Sequence, residues 1–455
     1  MDQLMTNKYK FEGTIKTVLI AFMGIGLLSM VLTFLGDDAV HSRFWSNFLI
    51  NAVFFTGLAF VALLLMSGKY IAYSGWQTVF KRVWEAYSLF LLPGLILMSV
   101  LVLGVIFGFH TLYHWNFEGI TDPSSPNYDE LIAGKSGFLN KYWYGLGTVL
   151  ILGLWYLFAK KIRSLSLKED REGDGSYSIH FKIKKWAGLF LPIGGFTSAA
   201  LIWLWVMSLD AHWYSTLFAW YATISLLVSM IALTILTLLF LKSKGYMQQV
   251  HSEHMHDLGK YLFGFSIFWT YLWFSQYMLI WYGNIGEETV YFKERLDSFP
   301  VLFYGLLLLN FVMPFFVLMR NDTKRKVGTL TFAAVVVFLG HWLDFFLMVK
   351  PGVLHTTHEA LGHHGHGHGE EGHAIADHAV HAVQTAGGEH GDAMAHAAEH
   401  ASGFVSGFTL PGFLEIGTML GFFGLFMFLT LNALSKAPLI PKNDPYLGES
   451  LHHHV

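Results

Sequence analysis

Apolar residues run along most of the chain in continuous blocks of about 20 or more positions, and polar segments separate these blocks. A helix that crosses a bilayer needs about 20 predominantly apolar residues at a rise of about 1.5 Å per residue. The blocks that reach this length lie at 17–35, 46–73, 84–108, 141–159, 186–209, 212–241, 258–282, 299–319, 328–349 and 412–435. This pattern predicts an all-α integral membrane protein with about ten transmembrane helices.

The polar connections alternate in charge along the chain. Basic residues in short loops stay on the cytoplasmic side of a membrane. They precede the first block and occupy every second connection, for example as Lys8, Lys10, Lys16, Lys69, Lys81, Arg82, Lys160, Lys161, Arg163, Lys242, Lys244, Arg320, Lys324, Arg325 and Lys326. The intervening connections carry acidic residues such as Asp37, Asp122 and Glu287. We therefore predict a multi-pass protein with both termini in the cytoplasm.

A weak internal repeat relates the two halves of the helical region. The second helix begins at Trp45 after a turn with Asp37, and the sixth begins at Trp213 after Asp210, a period of about 168 residues. The repeat predicts two four-helix bundles, helices 2–5 and 6–9, with peripheral first and last helices. The predicted segments are an N-terminal helix at 1–40, the bundles at 41–210 and 211–350, a histidine-rich periplasmic loop at 351–411, and the last helix with a cytoplasmic tail at 412–455.

Composition narrows the possible chemistry. Hydrophobic residues make up 54% of the chain and charged residues only 13%, which excludes a soluble domain. The chain has no cysteine, so it cannot form disulfides, thiolate-held iron–sulfur clusters or covalently attached haem c. We expect no covalently bound cofactor, and any such redox centre must belong to partner chains. Lipids are the expected surroundings, and the formal charge of −3 gives no sign of a nucleic-acid partner.

Segment 351–411 holds about half of the chain's 24 histidines among Ala, Gly and acidic residues. Neutral imidazoles are common ligands for zinc, copper and nickel, so one interpretation is metal capture. The other is a solvated loop that binds metal weakly or not at all. Glycines interrupt the run of His363, His364, His366 and His368, and no fixed coordination geometry follows. We predict no metal site here or at the terminal run His452 to His454.

Ionisable groups inside a membrane are costly, and their positions point to function. Along the ninth helix, His341 lies about 17 Å and Asp344 about 21 Å from the inner end, on one helix face. Asp210 and His212 lie at the outer hairpin of the fifth and sixth helices. A carboxylate beside an imidazole suits proton exchange, so these four residues are proton-path candidates. Glu85, at the inner start of the third helix, is a fifth candidate.

Quinol oxidation is a related possibility, because it needs hydrogen bonds to two hydroxyl groups, proton acceptors and aromatic walls. The quinone-pocket candidates are Trp213, Gln276, Tyr277 and Tyr282, which together with the acids could converge on one outer pocket. For Tyr282 the alternative is the interfacial aromatic belt, and for the His341–Asp344 pair it is a structural tie between helices. No residue is predicted to be catalytic.

Two stretches carry a family resemblance. Residues 207–215 (MSLDAHWYS) and 274–289 (FSQYMLIWYGNIGEET) resemble the F-subunit family of bacterial alternative complex III, a relative of the NrfD and polysulfide-reductase-type membrane anchors. The resemblance covers most of the chain, including ten helices and two bundles, but not the histidine-rich loop. It implies a place in the bacterial inner membrane, within a respiratory complex that oxidises menaquinone or another quinol.

The resemblance also implies partners. They are a homologous C-type membrane subunit, an iron–sulfur subunit and haem c subunits, with electrons passing to a periplasmic acceptor or a terminal oxidase. In such a complex the C-type subunit is the better-supported quinol site, and the F-type subunit is expected to conduct protons. The alternative from a different class is a stand-alone ion- or proton-coupled secondary transporter, which would also fit a repeat with buried acids.

Overall fold

A computed structural model describes residues 8–173, 176–365 and 407–454. Within these ranges the chain is helical and has no β-strand. The α-helices are α1 (Thr14–Leu35), α2 (Ser42–Ile71), α3 (Lys81–Ser88), α4 (Leu91–Phe107), α5 (Glu130–Lys135), α6 (Lys141–Glu172), α7 (Ser178–Trp205), α8 (Thr216–Ser243), α9 (Ser252–Gly283), α10 (Gly286–Ser298), α11 (Pro300–Leu307), α12 (Met313–Leu318), α13 (Asn321–Arg325), α14 (Val327–Gly365), α15 (Phe413–Ser435) and α16 (Leu447–Leu451).

The protein is an all-α, multi-pass integral membrane protein, as predicted. Among the described residues, nine helical stretches are long and apolar enough to cross a membrane. They are Thr14–Leu35, Ser42–Ile71, Thr78–Phe107, Lys141–Glu172, Ser178–Leu209, Thr216–Ser243, Pro300–Leu318, Val327–His358 and Phe413–Ser435. The remaining predicted block, 258–282, forms most of α9, a helix of 32 residues. Its Trp, Tyr, Ser and Thr side chains lower its hydropathy, so its length is what supports a tenth crossing.

The spanning helices form two groups with the same pattern of neighbours. In the first bundle, α2 packs against α3, α4 and α7, while α6 packs against α4 and α7. In the second bundle, α8 packs against α9 and α14, while α12 packs against the same two helices. Contacts of α2 with α8 and α14 join the bundles. This is the two-bundle arrangement that the repeat predicts.

The first and last spans, α1 and α15, pack against each other outside the bundles. Their backbones touch at a pair of glycines, since a Cβ atom added to Gly26 would lie 2.3 Å from the Cα atom of Gly421. One turn away, a Cβ atom on Gly417 would lie 2.1 Å from the Ser29 hydroxyl. Small residues allow this close approach, which gains van der Waals contact between helices in a membrane.

Both described chain ends lie at one end of the bundles. Lys8 forms an isolated β-bridge with Pro438, and the amide of Lys10 donates to the Tyr246 hydroxyl at 3.3 Å. We call this end the terminal face. We call the opposite end, which carries segments 36–41, 108–140 and 284–299, the distal face. An even number of membrane crossings places both chain ends at the same face. Which face lies on the cytoplasmic side stays a prediction.

Helix α14 continues well past the predicted end of the ninth apolar block at 349. Pro351 lies inside it, although a proline usually interrupts the preceding turn of a helix. Gly352 follows, and a Cβ atom there would lie 3.1 Å from Asp210. Residues 351–365 are therefore helical rather than part of a loop. The rest of the predicted histidine-rich loop up to 406, including His366 and His368, lies outside the described residues.

The glycine contact between α1 and α15 gives a stability prediction. Gly26→Leu forces the two backbones apart, and we expect it to lower the free energy of unfolding by about 2 kcal/mol, as overpacking does. A Cβ atom on Gly24, in the same helix, meets nothing within 4 Å, so Gly24→Leu is the matched control. Unfolding in dodecyl sulfate, followed by circular dichroism, measures both. Equal stability of the two variants would disprove the close contact.

Candidate functional site

The predicted pair His341 and Asp344 lies in the core of the second bundle, and both side chains are fully buried. Two neighbouring helices supply hydrogen-bond donors for the Asp344 carboxylate. Tyr221 of α8 donates a short hydrogen bond to Asp344 Oδ1. Ser225 of α8 donates to Oδ2 at 2.8 Å, and the indole N–H of Trp269 of α9 donates to the same oxygen at 2.9 Å. Tyr221 and Ser225 are four residues apart on one helix, so they face α14 together.

His341 extends this cluster towards the middle of the bundle. Its Nδ1 atom lies 2.9 Å from the Ser225 hydroxyl and 3.9 Å from Asp344 Oδ2. Its Nε2 atom is buried and has no hydrogen-bond partner among the described residues. The same holds for both side-chain polar atoms of Asn310, which lies in a π-helical turn, Leu308–Val312, packed against Gly340. Buried polar atoms need partners, so ordered water fits here.

Asp210 lies closer to the distal face and has a partner that sequence reasoning missed. Arg295 of α10 is buried and donates to Asp210 Oδ2 at 3.0 Å. The guanidinium also lies on the face of Tyr291, with its Cζ atom 3.4 Å from the ring centre. The other face of Tyr291 stacks on Trp213, with ring centres 3.9 Å apart. A charged residue in a connecting segment carries no sequence signal that it turns inwards.

Two cavities line up between the distal face and Asp344. A cleft of about 360 Å³ is lined by Asp210, His212, Trp213, Tyr291 and Glu294, together with His114, Glu287 and His355. A second cavity of about 20 Å³, room for about one water molecule, is lined by Tyr221, Gln276, Tyr291, Arg295 and Asp344. Tyr291 lines both. The aromatic ring and the Asp210–Arg295 pair therefore separate the cleft from the buried carboxylate.

Glu294 adds a proton-exchanging group to the cleft. Burial raises the pKa of this carboxyl, the neighbouring Arg295 charge opposes that shift, and the Asp210 charge adds to it. A carboxyl with a raised pKa takes up and releases protons closer to neutral pH than an ordinary one. Sequence reasoning missed it, because a glutamate in an amphipathic segment looks like a solvated surface residue.

The predicted outer residues do not converge on one pocket. Gln276 lines the small cavity with Asp344, while Asp210, His212 and Trp213 line the cleft. His212 also pairs with Asp129, at 2.5 Å between Nε2 and Oδ2. Asp210 and Asp344 each have partners of their own, and Tyr291 and Arg295 stand between them.

Two of the four quinone-pocket candidates lie away from both cavities. The Tyr277 ring packs among Trp273, Phe292 and Phe303. Tyr282 is 83% exposed, as expected for the aromatic belt. The small cavity beside Gln276 is too small for a quinone headgroup, whereas the cleft beside Trp213 has the volume of a ligand pocket, about 300 Å³ or more.

Glu85 lies at the terminal face inside a buried ion-pair network. Arg82 donates to Glu85 Oε2 at 2.6 Å, and the Ser166 hydroxyl donates to Oε1 at 2.7 Å. Arg163 approaches within 4.0 Å, and Arg82 also forms a short ion pair with Asp170. Burial of several charges is tolerated because each has an opposite partner. Glu85 therefore also has a structural role here, since its charge balances the nearby arginines.

A second part of the same network contains three potential metal ligands. Glu169, His180 and Asp444 are buried, and one ligand atom of each lies within 4.8 Å of the others. Lys81 forms a short ion pair with Asp444, and its Nζ atom lies 3.7 Å from Glu169. The ammonium group supplies the positive charge that a metal would otherwise bring. Burial raises the pKa of Asp444, but the Lys81 charge outweighs it and holds this pKa below its usual value.

Helix α8 carries a row of buried hydroxyl groups from the Asp344 cluster towards the terminal face. The row comprises Tyr221, Ser225, Ser229, Thr234 and Thr237 and covers about 24 Å at about 1.5 Å per residue. At its far end, α3 contributes two contacts. The Trp84 indole donates to the Thr234 hydroxyl at 3.0 Å, and the Tyr87 hydroxyl lies 2.6 Å from that of Thr237. Glu85 is the neighbour of Trp84 on the same helix.

A further buried group lies on the other side of α14. Lys350 is fully buried, and its Nζ atom donates to the Ser46 hydroxyl at 2.8 Å. Nearby, Arg43 makes two hydrogen bonds to Glu415, at 2.7 and 2.9 Å. Sequence reasoning missed these three charged residues because each lies at the end of an apolar block, where loop charges are common.

Comparison of the chain with protein-family models and with curated proteins gives no match in either case.

The Lys81–Asp444 pair predicts a measurable stability effect. Asp444→Asn leaves a buried ammonium without its closest partner, and we expect the free energy of unfolding to fall by about 3 kcal/mol at pH 7. Because the pKa of Asp444 is lowered in the folded protein, the effect persists above about pH 4 and shrinks as the pH falls through the folded-state pKa. Denaturant titrations at several pH values measure it.

Asp322→Asn is the control for this substitution. Asp322 pairs with Arg320 at the same face, but both side chains are well exposed, at 66% and 74%. An exposed pair contributes little, so its stability should stay within about 0.5 kcal/mol of wild type. If Asp444→Asn and Asp322→Asn changed the free energy of unfolding equally, the Lys81–Asp444 pair would have no special role in stability.

Proposed function

We propose that this chain is a membrane subunit of a respiratory quinol-oxidising complex and that its second bundle conducts protons across the membrane. The observation that carries the proposal is the row of polar groups through one bundle. It begins at the distal cleft, passes Asp210, Arg295 and Tyr291, reaches Asp344 and His341, and continues along the α8 hydroxyls. Buried ionisable groups in a membrane bundle are costly to keep and mark proton routes.

The chemistry of the side chains along this row supports proton exchange. Glu294, whose raised pKa suits proton exchange, lines the cleft together with Asp210. Tyr291 and Arg295 separate this cleft from the small cavity, so a water molecule there would link them to Asp344. Asp344 then shares hydrogen bonds with Tyr221 and Ser225. A proton added to this carboxylate can pass to His341 through the Ser225 hydroxyl, which contacts both groups.

The hydroxyl row supplies the second half of the route. Ser229 and Thr234 donate to carbonyl groups one turn earlier in α8, so each hydroxyl keeps one acceptor site for a water molecule. The row ends beside α3, which carries Glu85 and its ion-pair network. Glu85 is thus the proposed exchange group at the terminal face.

At the repeat positions of Tyr221 and Ser225, the first bundle has apolar residues, which supports a specific role for these two polar side chains in the second bundle. Val53 and Gly57 stand about 168 positions before Tyr221 and Ser225, at the repeat period. With Ser198 they line a small cavity whose other walls are mainly apolar. Packing alone therefore does not require polar groups at these positions.

The remaining parts of the proposal rest on the resemblance and on the absence of cysteine. Redox centres would be supplied by iron–sulfur and haem c partners, and quinol, of the menaquinone or a similar class, would be oxidised mainly at the homologous C-type subunit. Of the two cavities, the cleft has the volume for a quinone headgroup. The proposed location is a bacterial inner membrane with the terminal face in the cytoplasm.

The proton route predicts the behaviour of single variants. Asp344→Asn and Glu85→Gln remove groups that exchange protons, and Ser225→Ala removes the link between Asp344 and His341. In the whole complex reconstituted in vesicles, we expect each change to lower proton movement per electron at least fivefold, with quinol oxidation itself less affected. A pH-sensitive dye and the rate of acceptor reduction give the two readouts.

Ser198→Ala is the matched control for Ser225→Ala, because Ser198 is a buried serine of the first bundle whose hydroxyl donates to Gly195 at 2.9 Å. It should leave coupling unchanged. Intact subunit composition after gel filtration shows that each variant still assembles. Unchanged coupling in both Asp344→Asn and Glu85→Gln would defeat the proposed route.

Purification tests membership in a complex separately. In a mild detergent, we expect this chain to co-migrate with haem c and iron–sulfur subunits, which absorption and paramagnetic resonance spectra identify. Proton movement by the chain alone, without redox partners, would instead favour the stand-alone proton-coupled transporter.

A further inference from the structure

The C-terminal tail crosses the terminal face and is held there by specific contacts. Glu449 accepts a hydrogen bond from the amide of Gly75 at 3.1 Å. The Ser450 hydroxyl donates to the carbonyl of Trp76 at 2.6 Å and accepts from the amide of Val79 at 3.0 Å. These contacts bring the last histidines of the chain against the start of α9. No local pattern connects these two segments, which are about 200 positions apart.

Four imidazole rings meet at this contact. The rings of His251 and His254 have centres 4.2 Å apart. The His254 ring lies 5.4 Å from that of His453, and the His251 ring lies 6.0 Å from that of His454. Imidazoles that share one metal ion at nitrogen–metal distances of about 2.0–2.1 Å have ring centres about 5 Å apart. The three distances lie on either side of this value, and the four side chains would have to rotate to bring their nitrogen atoms onto one ion.

We propose that His251, His254, His453 and His454 form a binding site for one first-row transition-metal ion such as Zn²⁺. A set of neutral nitrogen donors suits zinc, copper or nickel and is unsuited to calcium or magnesium, which prefer oxygen. The site is independent of the proposed proton route. Its ion would fasten the C-terminal tail to α9.

The hydrogen bonds around the rings leave nitrogen atoms available for an ion. His251 Nε2 is buried and has no hydrogen-bond partner among the described residues. His254 Nδ1 accepts from the His251 amide, and its Nε2 makes only a long contact of 3.5 Å with Ser450. His453 Nε2 pairs with Asp257 Oδ2 at 2.9 Å, so an ion would bind the other ring nitrogen, Nδ1. A carboxylate behind a histidine orients the ring and strengthens it as a metal ligand.

The surroundings allow an ion to enter. His454 is exposed, so the site opens to water at the terminal face. Asp257 and Glu253 bring negative charge to this end of α9, although Lys260 and Arg325 pair with them. Two separate segments, the start of α9 and the C-terminal tail, bring the rings of this cluster together.

Residue-specific histidine modification tests the site in the full chain, purified without a metal-affinity tag. Diethyl pyrocarbonate modifies free imidazole nitrogens, and mass spectrometry reads each histidine. We expect Zn²⁺ to protect His453 and His454 together at one metal concentration, while His452, the exposed neighbour, stays reactive. His454→Gln, at an exposed position, should raise the Zn²⁺ concentration for half-protection of His453 at least fivefold.

His254→Gln should raise that concentration at least tenfold. The matched control is His256→Gln, since His256 is a buried histidine of the same helix that faces Asn321 and Arg325 instead. This control should leave protection unchanged. Protection confined to histidines between 355 and 400, or protection of the tail that neither His254→Gln nor His454→Gln weakens, would overturn the proposal.

Discussion

Asp344 is a carboxylate in the apolar interior of a helix bundle, and the packing around it follows from the hydrogen bonds that such a group requires. An unpaired ionised group there would cost several kcal/mol, whereas hydrogen-bond donors from neighbouring helices offset this cost. Tyr221, Ser225 and Trp269 supply the donors. Because these residues belong to α8 and α9, the carboxylate sets the rotation of both helices relative to α14.

The same requirement explains the two ends of the molecule. Near the distal face, Asp210 is neutralised by Arg295, whose guanidinium also covers the Tyr291 ring. At the terminal face, several acids and bases from α3, α6 and the tail form one buried network. Between the two ends, α8 carries buried hydroxyl groups at Tyr221, Ser225, Ser229, Thr234 and Thr237. The proposed proton route uses these hydroxyl groups.

The sequence predicted much of the fold because its signals are local. Apolar block lengths predict spans, and the alternation of charge predicts that both ends lie at one face. The depth and shared helix face of His341 and Asp344 also follow from counting residues along one helix. The same reasoning failed for residues 351–365, which it assigned to a loop because the apolar block ends at 349, whereas they continue α14 through Pro351.

By itself, the sequence determined an all-α membrane protein in two bundles with an acid–histidine pair in the second, since hydropathy and helix periodicity depend only on neighbouring residues. Tertiary structure decided which groups meet. Arg295 and Asp210 are separated by 85 positions, Tyr221 and Asp344 by 123, and the tail serine Ser450 and His254 by 196. Such contacts depend on how whole helices rotate and cross, and no local pattern encodes that.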